Sequence, residues 1–105
     1  MKVVQRGTMR ARPGKMAEMM ALNRQYMAAA HRHGKPMRQR GYQPLFGGQD
    51  YMHTVIFEVE WDSVADLERF FEEIMADPEV VAMMPKYEEI TDFHTVELFV
   101  PVPFG

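Results

Sequence analysis

Tyr51-Met52-His53-Thr54-Val55-Ile56-Phe57-Glu58-Val59-Glu60-Trp61 alternates side chains with a period of two. His53, Val55, Phe57, Val59 and Trp61 fall on one face; Met52, Thr54, Ile56, Glu58 and Glu60 fall on the other. Only an extended chain gives that period, so the stretch reads as a strand with one apolar face. Asp62-Ser63 follows, and the period changes. Leu67, Phe70, Phe71 and Ile74 recur at helical spacing, which marks an amphipathic helix. Ser63 with Asp66 three residues on resembles a capping box, with aspartate in place of the usual glutamate or glutamine.

Downstream, Asp77-Pro78-Glu79 reads as a cap and a restart, since Pro78 suits a first helical position. Val80, Val81, Met83 and Met84 form a short apolar helix that Pro85 is expected to end or kink. Thr91 to Val100 reads as a last strand, with His94, Val96, Leu98 and Val100 alternating with Thr95, Glu97 and Phe99. Pro101 and Pro103 stop it.

Upstream, Lys2 to Arg10 reads as a first strand interrupted at Gly7. Pro13 is expected in the first turn of a helix whose mainly apolar face holds Met16, Met19, Met20, Asn23, Tyr26, Met27 and Ala30. His31, Arg32 and His33 suit the negative end of its dipole, and Gly34 suits a left-handed stop. Lys35 to Gly41 is a basic loop, and Tyr42 to Phe46 a second strand. Gly47-Gly48-Gln49-Asp50 signals a hairpin into the third strand.

The order is therefore βαββαβ. Chain-connection rules give an α+β, ferredoxin-like fold over residues 1–105: a four-stranded antiparallel sheet with its helices on one face. The uncovered face would carry Val4, Arg6, Thr8, Met52, Thr54, Ile56, Glu58, Thr95, Glu97 and Phe99. Met52, Ile56 and Phe99 together are too apolar for a fully solvated face. Packing two such faces about a twofold axis would cover them, so a homodimer through the open sheet face is expected. Glu58 and Glu97 would then pair with Arg6 and Arg10, within or across the dimer.

Composition narrows the function. The net charge of -3 argues against sequence-blind nucleic-acid binding, and the middle strands lack the exposed aromatic pair of an RNA-recognition module. The chain has no cysteine, which removes disulfides, thiolate metal sites and cysteine nucleophiles. No apolar run approaches a membrane span, and the N-terminus lacks a secretory core, so a cytoplasmic protein without a membrane partner is expected. The 11 methionines read as plastic core filling, or as the lining of an adaptable pocket.

Few residues invite chemistry. His53 and His94 are expected at strand ends on the helix-facing side, roughly 10 Å apart. That is too far to share a metal ion. Both could address one small ligand lying over Gly7 and Met9, where glycine leaves room, and a neutral imidazole there could act as a base. The alternative is two histidines bonded to backbone or water. Asn23, Tyr26 and Trp61 are the further ligand-binding candidates. Asn23 would bond a ligand carbonyl or backbone at the sheet edge, because a buried amide needs partners. Trp61 would stack a planar ligand or pack on a helix. Histidine spacing gives no metal site, Gly47-Gly48 is no phosphate loop, and no nucleophile signature occurs. No cofactor is expected.

Three stretches resemble the NIPSNAP-like branch of the dimeric α/β-barrel proteins. They are Pro13-Gly14-Lys15 before the long helix; His53-Thr54-Val55-Ile56-Phe57 leading into Ser63 to Phe71; and Asp77-Pro78-Glu79-Val80-Val81-Ala82-Met83-Met84-Pro85-Lys86 before the last strand. The resemblance implies the ferredoxin-like fold and a back-to-back dimer. An arginine and a tyrosine, one residue apart, often precede the Pro-Gly in that branch; here the positions are Gly7 and Met9. Related barrels include cofactor-free monooxygenases, haem-degrading enzymes and lactone isomerases, so the fold alone does not fix an activity. Two functions are in view: a homodimeric module holding a small apolar molecule between sheet and helices, or a cofactor-independent monooxygenase or isomerase acting on a small aromatic or polyketide-like substrate with a histidine base.

Overall fold

In the computed structural model, which describes residues 1–47 and 51–104, the elements follow the expected order, including the helix that restarts after Asp77. They are β1 (Val3–Ala11), α1 (Met16–Arg32), β2 (Gln39–Tyr42), β3 (Thr54–Trp61), α2 (Val64–Met75), α3 (Pro78–Ile90) and β4 (Thr91–Phe99). The sheet order is β2-β3-β1-β4, and each neighbouring pair is antiparallel. This is the α+β, ferredoxin-like architecture. The Gly48-Gln49-Asp50 part of the expected hairpin lies outside the described residues.

Local chemistry explains most boundaries. Ser63 Oγ accepts from Asp66 N at 3.1 Å, capping α2. Asp77 Oδ1 accepts from Glu79 N at 2.9 Å, and Pro78 opens α3. Gly34 has a φ of 90° just past α1, where a side chain would be strained.

Four boundaries differ from the sequence reading. Pro13 does not start the helix. Arg12-Pro13-Gly14-Lys15 is a turn closed by Lys15 N to Arg12 O at 2.9 Å, with Gly14 at φ 80°; proline second and a left-handed glycine third favour that turn. The second strand is Gln39–Tyr42 rather than Tyr42–Phe46, because Pro44 cannot extend a ladder as a donor. Tyr51–His53 is a single 3-10 turn, so β3 begins at Thr54 and His53 precedes it. Pro85 does not end α3, which runs on to Ile90. Pro85 is exposed and so is Val81, so the proline interrupts the helix on its solvent side, where water can reach the turn. Val80, Met83 and Ile90 pin the other side of the helix in the core.

The core is split. One cluster gathers Val3, Val59, Trp61, Ala29, Ala30, Leu67, Phe70, Ile74 and Val80. The other gathers Met9, Ala11, Val55, Met19, Leu22, Met83 and Ile90. Tyr26 and Met84 touch both. On β1 the helix-facing positions run Val3, Gln5, Gly7, Met9 and Ala11, so Gln5 and Gly7 are the positions where β1 contributes no apolar side chain between the clusters. Gly7 pairs with Phe57 on one side and Val96 on the other.

The opposite sheet face has no helix. Arg6 donates to Glu58 Oε1 from Nε at 2.9 Å and from Nη2 at 2.6 Å, and its guanidinium lies 5.0 Å from the Phe99 ring centre. Arg10 Nε donates to Asp92 at 2.7 Å, and its guanidinium lies 5.3 Å from the Phe93 ring. Both arginines thus cover exposed phenylalanines while pairing with carboxylates of their own chain.

Candidate functional site

Where the core divides, a cavity of about 260 Å³ lies between sheet and helices, at the small end of ligand-site sizes. Gln5, Gly7, Met9, Phe57, Val59, Gln39, His94 and Val96 form its floor. Asn23, Tyr26 and Met27 of α1, Phe71, Ile74 and Met75 of α2, and Val80, Met84 and Tyr87 of α3 cover it. It reaches the surface where Val96, Phe71 and Met75 stand 48%, 39% and 55% exposed. A Cβ on Gly7 would meet nothing nearer than Thr95 O at 3.9 Å, so glycine here leaves space rather than relieving a clash.

The register gives the cavity two ends. Gln5 aligns with Val59, and Val59 with Gln39, on one rung of the sheet. Met9 aligns with Val55 and with His94 two rungs away. The four-residue step from Gln5 to Met9 spans roughly 13 Å.

At the Met9 end, Tyr87 Oη donates to Asn23 Oδ1 at 2.7 Å. Asn23 is 6% exposed, and its Nδ2 meets only the Met20 sulfur, at 4.0 Å. That leaves donor capacity toward the cavity. Thr91 Oγ1 donates to Tyr87 O at 2.6 Å and fixes the last turn of α3. Burial, then the neighbouring Tyr26, pushes the Tyr87 phenol up; burial alone raises Tyr26. Both are therefore neutral O–H groups at pH 7. His94 stands on an edge strand with one side open to solvent, and the partial cover of the cavity lowers its imidazole from the ordinary value, which favours the neutral form at pH 7, able to accept a proton.

At the Gln5 end, Trp61 Nε1 donates to Gln5 Oε1 at 2.9 Å. Lys35 follows α1 and lines the cavity. Its Nζ sits 5.6 Å from the Tyr26 ring centre and 5.9 Å from that of Phe70, and burial lowers its pKa to about 8.

The structure thus brings Gly7, Met9, Asn23, Tyr26 and His94 to one cavity. His53 does not line it, because the chain turns before β3 begins. Trp61 does not line it either. It is 2% exposed and packs on Phe70 with ring centres 5.2 Å apart, acting on the cavity only through Gln5. Gln5, Lys35, Gln39 and Tyr87 line the cavity without being singled out by the sequence reading. Tyr87 stands at i+3 from Met84 and i+4 from Met83, a helical spacing that continues past Pro85 and could have signalled it. His31 and His33 share no site: His33 Nε2 bonds Asp77 at 2.8 Å, linking the end of α1 to the cap of α3. Among the described residues no three His, Asp or Glu side chains converge to hold a metal ion, and no helix is long and apolar enough to cross a membrane.

No protein-family model and no curated protein matches the chain. Solved structures do. A NIPSNAP family protein from Agrobacterium tumefaciens superposes with a TM-score of 0.79 at 21% identity, over 99% of this chain and 96% of that one. The chain has the fold of the NIPSNAP-domain proteins. An uncharacterised NIPSNAP domain protein from Burkholderia xenovorans gives 0.78 at 20% identity, over 98% and 97%. SnoaB, a cofactor-independent oxygenase from Streptomyces nogalater, gives 0.72 at 14% identity, over 98% and 95%. The likeness to the NIPSNAP structures extends over 98–99% of this chain, and at these identities it speaks of fold and not of activity.

Proposed function

We propose that this NIPSNAP-fold protein is a homodimeric module that holds a small, largely apolar molecule between its sheet and its helices. The carrying observation is the cavity over Gly7, whose polar groups converge at two ends of an otherwise apolar space. The dimer would form through the open sheet face, covering Ile56, Phe93 and Phe99. Gly7→Leu tests the cavity directly, since a Cβ at Gly7 makes no contact closer than 3.9 Å and the added side chain points toward the cavity. Small aromatic compounds that bind the wild-type protein in a thermal-shift and NMR screen are expected to lose binding to Gly7→Leu, while the variant keeps its fold. Undiminished binding to Gly7→Leu sinks this site.

One observation favours a second reading. His94 is neutral and lines the cavity, as a base for a cofactor-independent oxygenase or isomerase would have to. SnoaB, which shares the fold, is such an oxygenase. In this reading His94 takes a proton from an acidic C–H or O–H of the substrate, and Asn23 Nδ2 donates to the oxygen that gains charge. Oxygen uptake with a panel of small quinols and anthrone-like compounds separates the two. Turnover abolished by His94→Ala supports the enzyme; binding without turnover supports the module.

A further inference from the structure

Lys35 is a cation in a cavity that offers it no counter-ion. Among the described residues no aspartate or glutamate lines the cavity, and none lies within ion-pair distance of the Lys35 ammonium. Its surroundings are two aromatic rings and the Met27 sulfur, 4.0 Å from Nζ. Ring faces compensate a desolvated ammonium only in part.

Two amides stand at the same end. The Trp61 indole only donates, so its bond to Gln5 Oε1 fixes the orientation of that amide and turns the Gln5 NH₂ group away from the indole. Gln39, aligned with Gln5 through Val59, lines the cavity, and its Oε1 is buried with no hydrogen-bond partner. A half-turn of its terminal bond presents N–H donors at that position instead. An ammonium and two amide groups then face a space walled by Tyr26, Phe57 and Phe71.

We propose that the cavity selects small aromatic carboxylates, the anion held by the Lys35 ammonium and by the amide N–H groups of Gln5 and Gln39. This rests on the small-molecule reading above and names the class of ligand. The ring system would lie over Gly7, and its far edge would reach Asn23 and His94. A carboxylate matches this end in charge and in number of acceptors. A neutral ligand would leave the half-buried ammonium unpaired.

The test uses 2-naphthoate and 2-naphthamide, which share shape and differ in charge, with binding measured by calorimetry on wild type and on Lys35→Met. Wild type is expected to bind the acid at least about tenfold tighter than the amide, as a charge-assisted hydrogen bond implies. Lys35→Met is expected to bind the amide still and to lose the preference for the acid. Equal affinities in wild type overturn the proposal without any variant, as does a preference that survives in Lys35→Met. In both cases the cavity remains a binding site. Failure of both compounds to bind wild type overturns this proposal, and if the wider aromatic screen is also empty, the small-molecule reading falls with it.

Discussion

Tyr87 Oη and Asn23 Oδ1 lie 2.7 Å apart and join α3 to α1 across one end of the cavity. Asn23 is buried, so the bond has an asymmetric energetic role: removing its donor leaves the Asn23 carbonyl without its partner. Tyr87→Phe is expected to destabilise the fold by about 1–3 kcal/mol. Adding Asn23→Leu should recover part of that loss, because neither partner then remains unpaired. Urea unfolding of the two single variants and the double variant measures the coupling. Additive losses would show that the pair contributes nothing as a pair.

Lys35 should limit stability for the same reason that it serves binding. Its folded-state pKa, about 8, lies below the unfolded value near 10.4. Below pH 8 both states carry the proton, and the full cost of burying the charge is present. Between about pH 8 and 10.4 the folded state releases its proton first, so wild-type stability rises with pH on this account. Lys35→Met is therefore expected to be more stable than wild type at pH 7, by on the order of 2 kcal/mol. The gap should close as the pH passes through that window. A gap that does not vary between pH 7 and 10 would place the ammonium in water.

The sequence made the frame legible where local chemistry and tertiary packing agree. Alternation in β3 and β4, the Ser63 and Asp77 caps and the helical stripe of α2 each point to the element that forms. It also brought forward Gly7, Met9, Asn23, Tyr26 and His94, because a strand glycine and a polar residue in an apolar stripe are local anomalies. β2 was misplaced since Gln39, Arg40, Gly41 and Tyr42 show no apolar alternation; backbone pairing to β3 defines that strand. In sequence Lys35 simply opens a basic loop, the ordinary place for a lysine. Only the approach of Tyr26 and Phe70, residues 9 and 35 positions away along the chain, half-buries it. His53 was assigned to a strand because its parity fits, and parity alone does not show where a strand starts.

The open sheet face can be tested at its centre. Thr8 aligns with Ile56 on β3 and Thr95 on β4, with Arg6 and Arg10 two residues to either side on the same face. Lysine is the informative substitution, because glutamate would find those arginines as partners. Thr8→Lys sets three cations in a row on a face that must lose its water if two sheets meet there, and Glu97, the carboxylate diagonal to it, cannot balance all of that charge, so the dimer is weakened. Wild type is expected to sediment as a dimer at micromolar concentration and Thr8→Lys as a folded monomer. A monomeric wild type overturns the dimer, and a dimeric variant moves the interface elsewhere.

Pro85 presents two opposed effects whose magnitudes decide the sign. Proline inside a helix deprives the Val81 carbonyl of its donor and strains the turn before it, costing about 3 kcal/mol in a regular helix. Against this, proline restricts the unfolded chain, which stabilises by about 0.4–1 kcal/mol. Both Pro85 and Val81 face solvent, so water already meets part of the carbonyl's need and the first effect is reduced. Pro85→Ala is expected to stabilise by about 1–2 kcal/mol net, read as a rise in thermal midpoint. The substitution also bears on the cavity, because Met84 and Tyr87, on either side of Pro85, both line it. If the proline sets the path of α3, straightening the helix should move Tyr87 from Asn23. Ligand affinity would then fall while stability rises. Stability and affinity that both stay at wild-type values would show that the α3 backbone already passes Pro85 without strain, held by Val80, Met83 and Ile90 on its buried side.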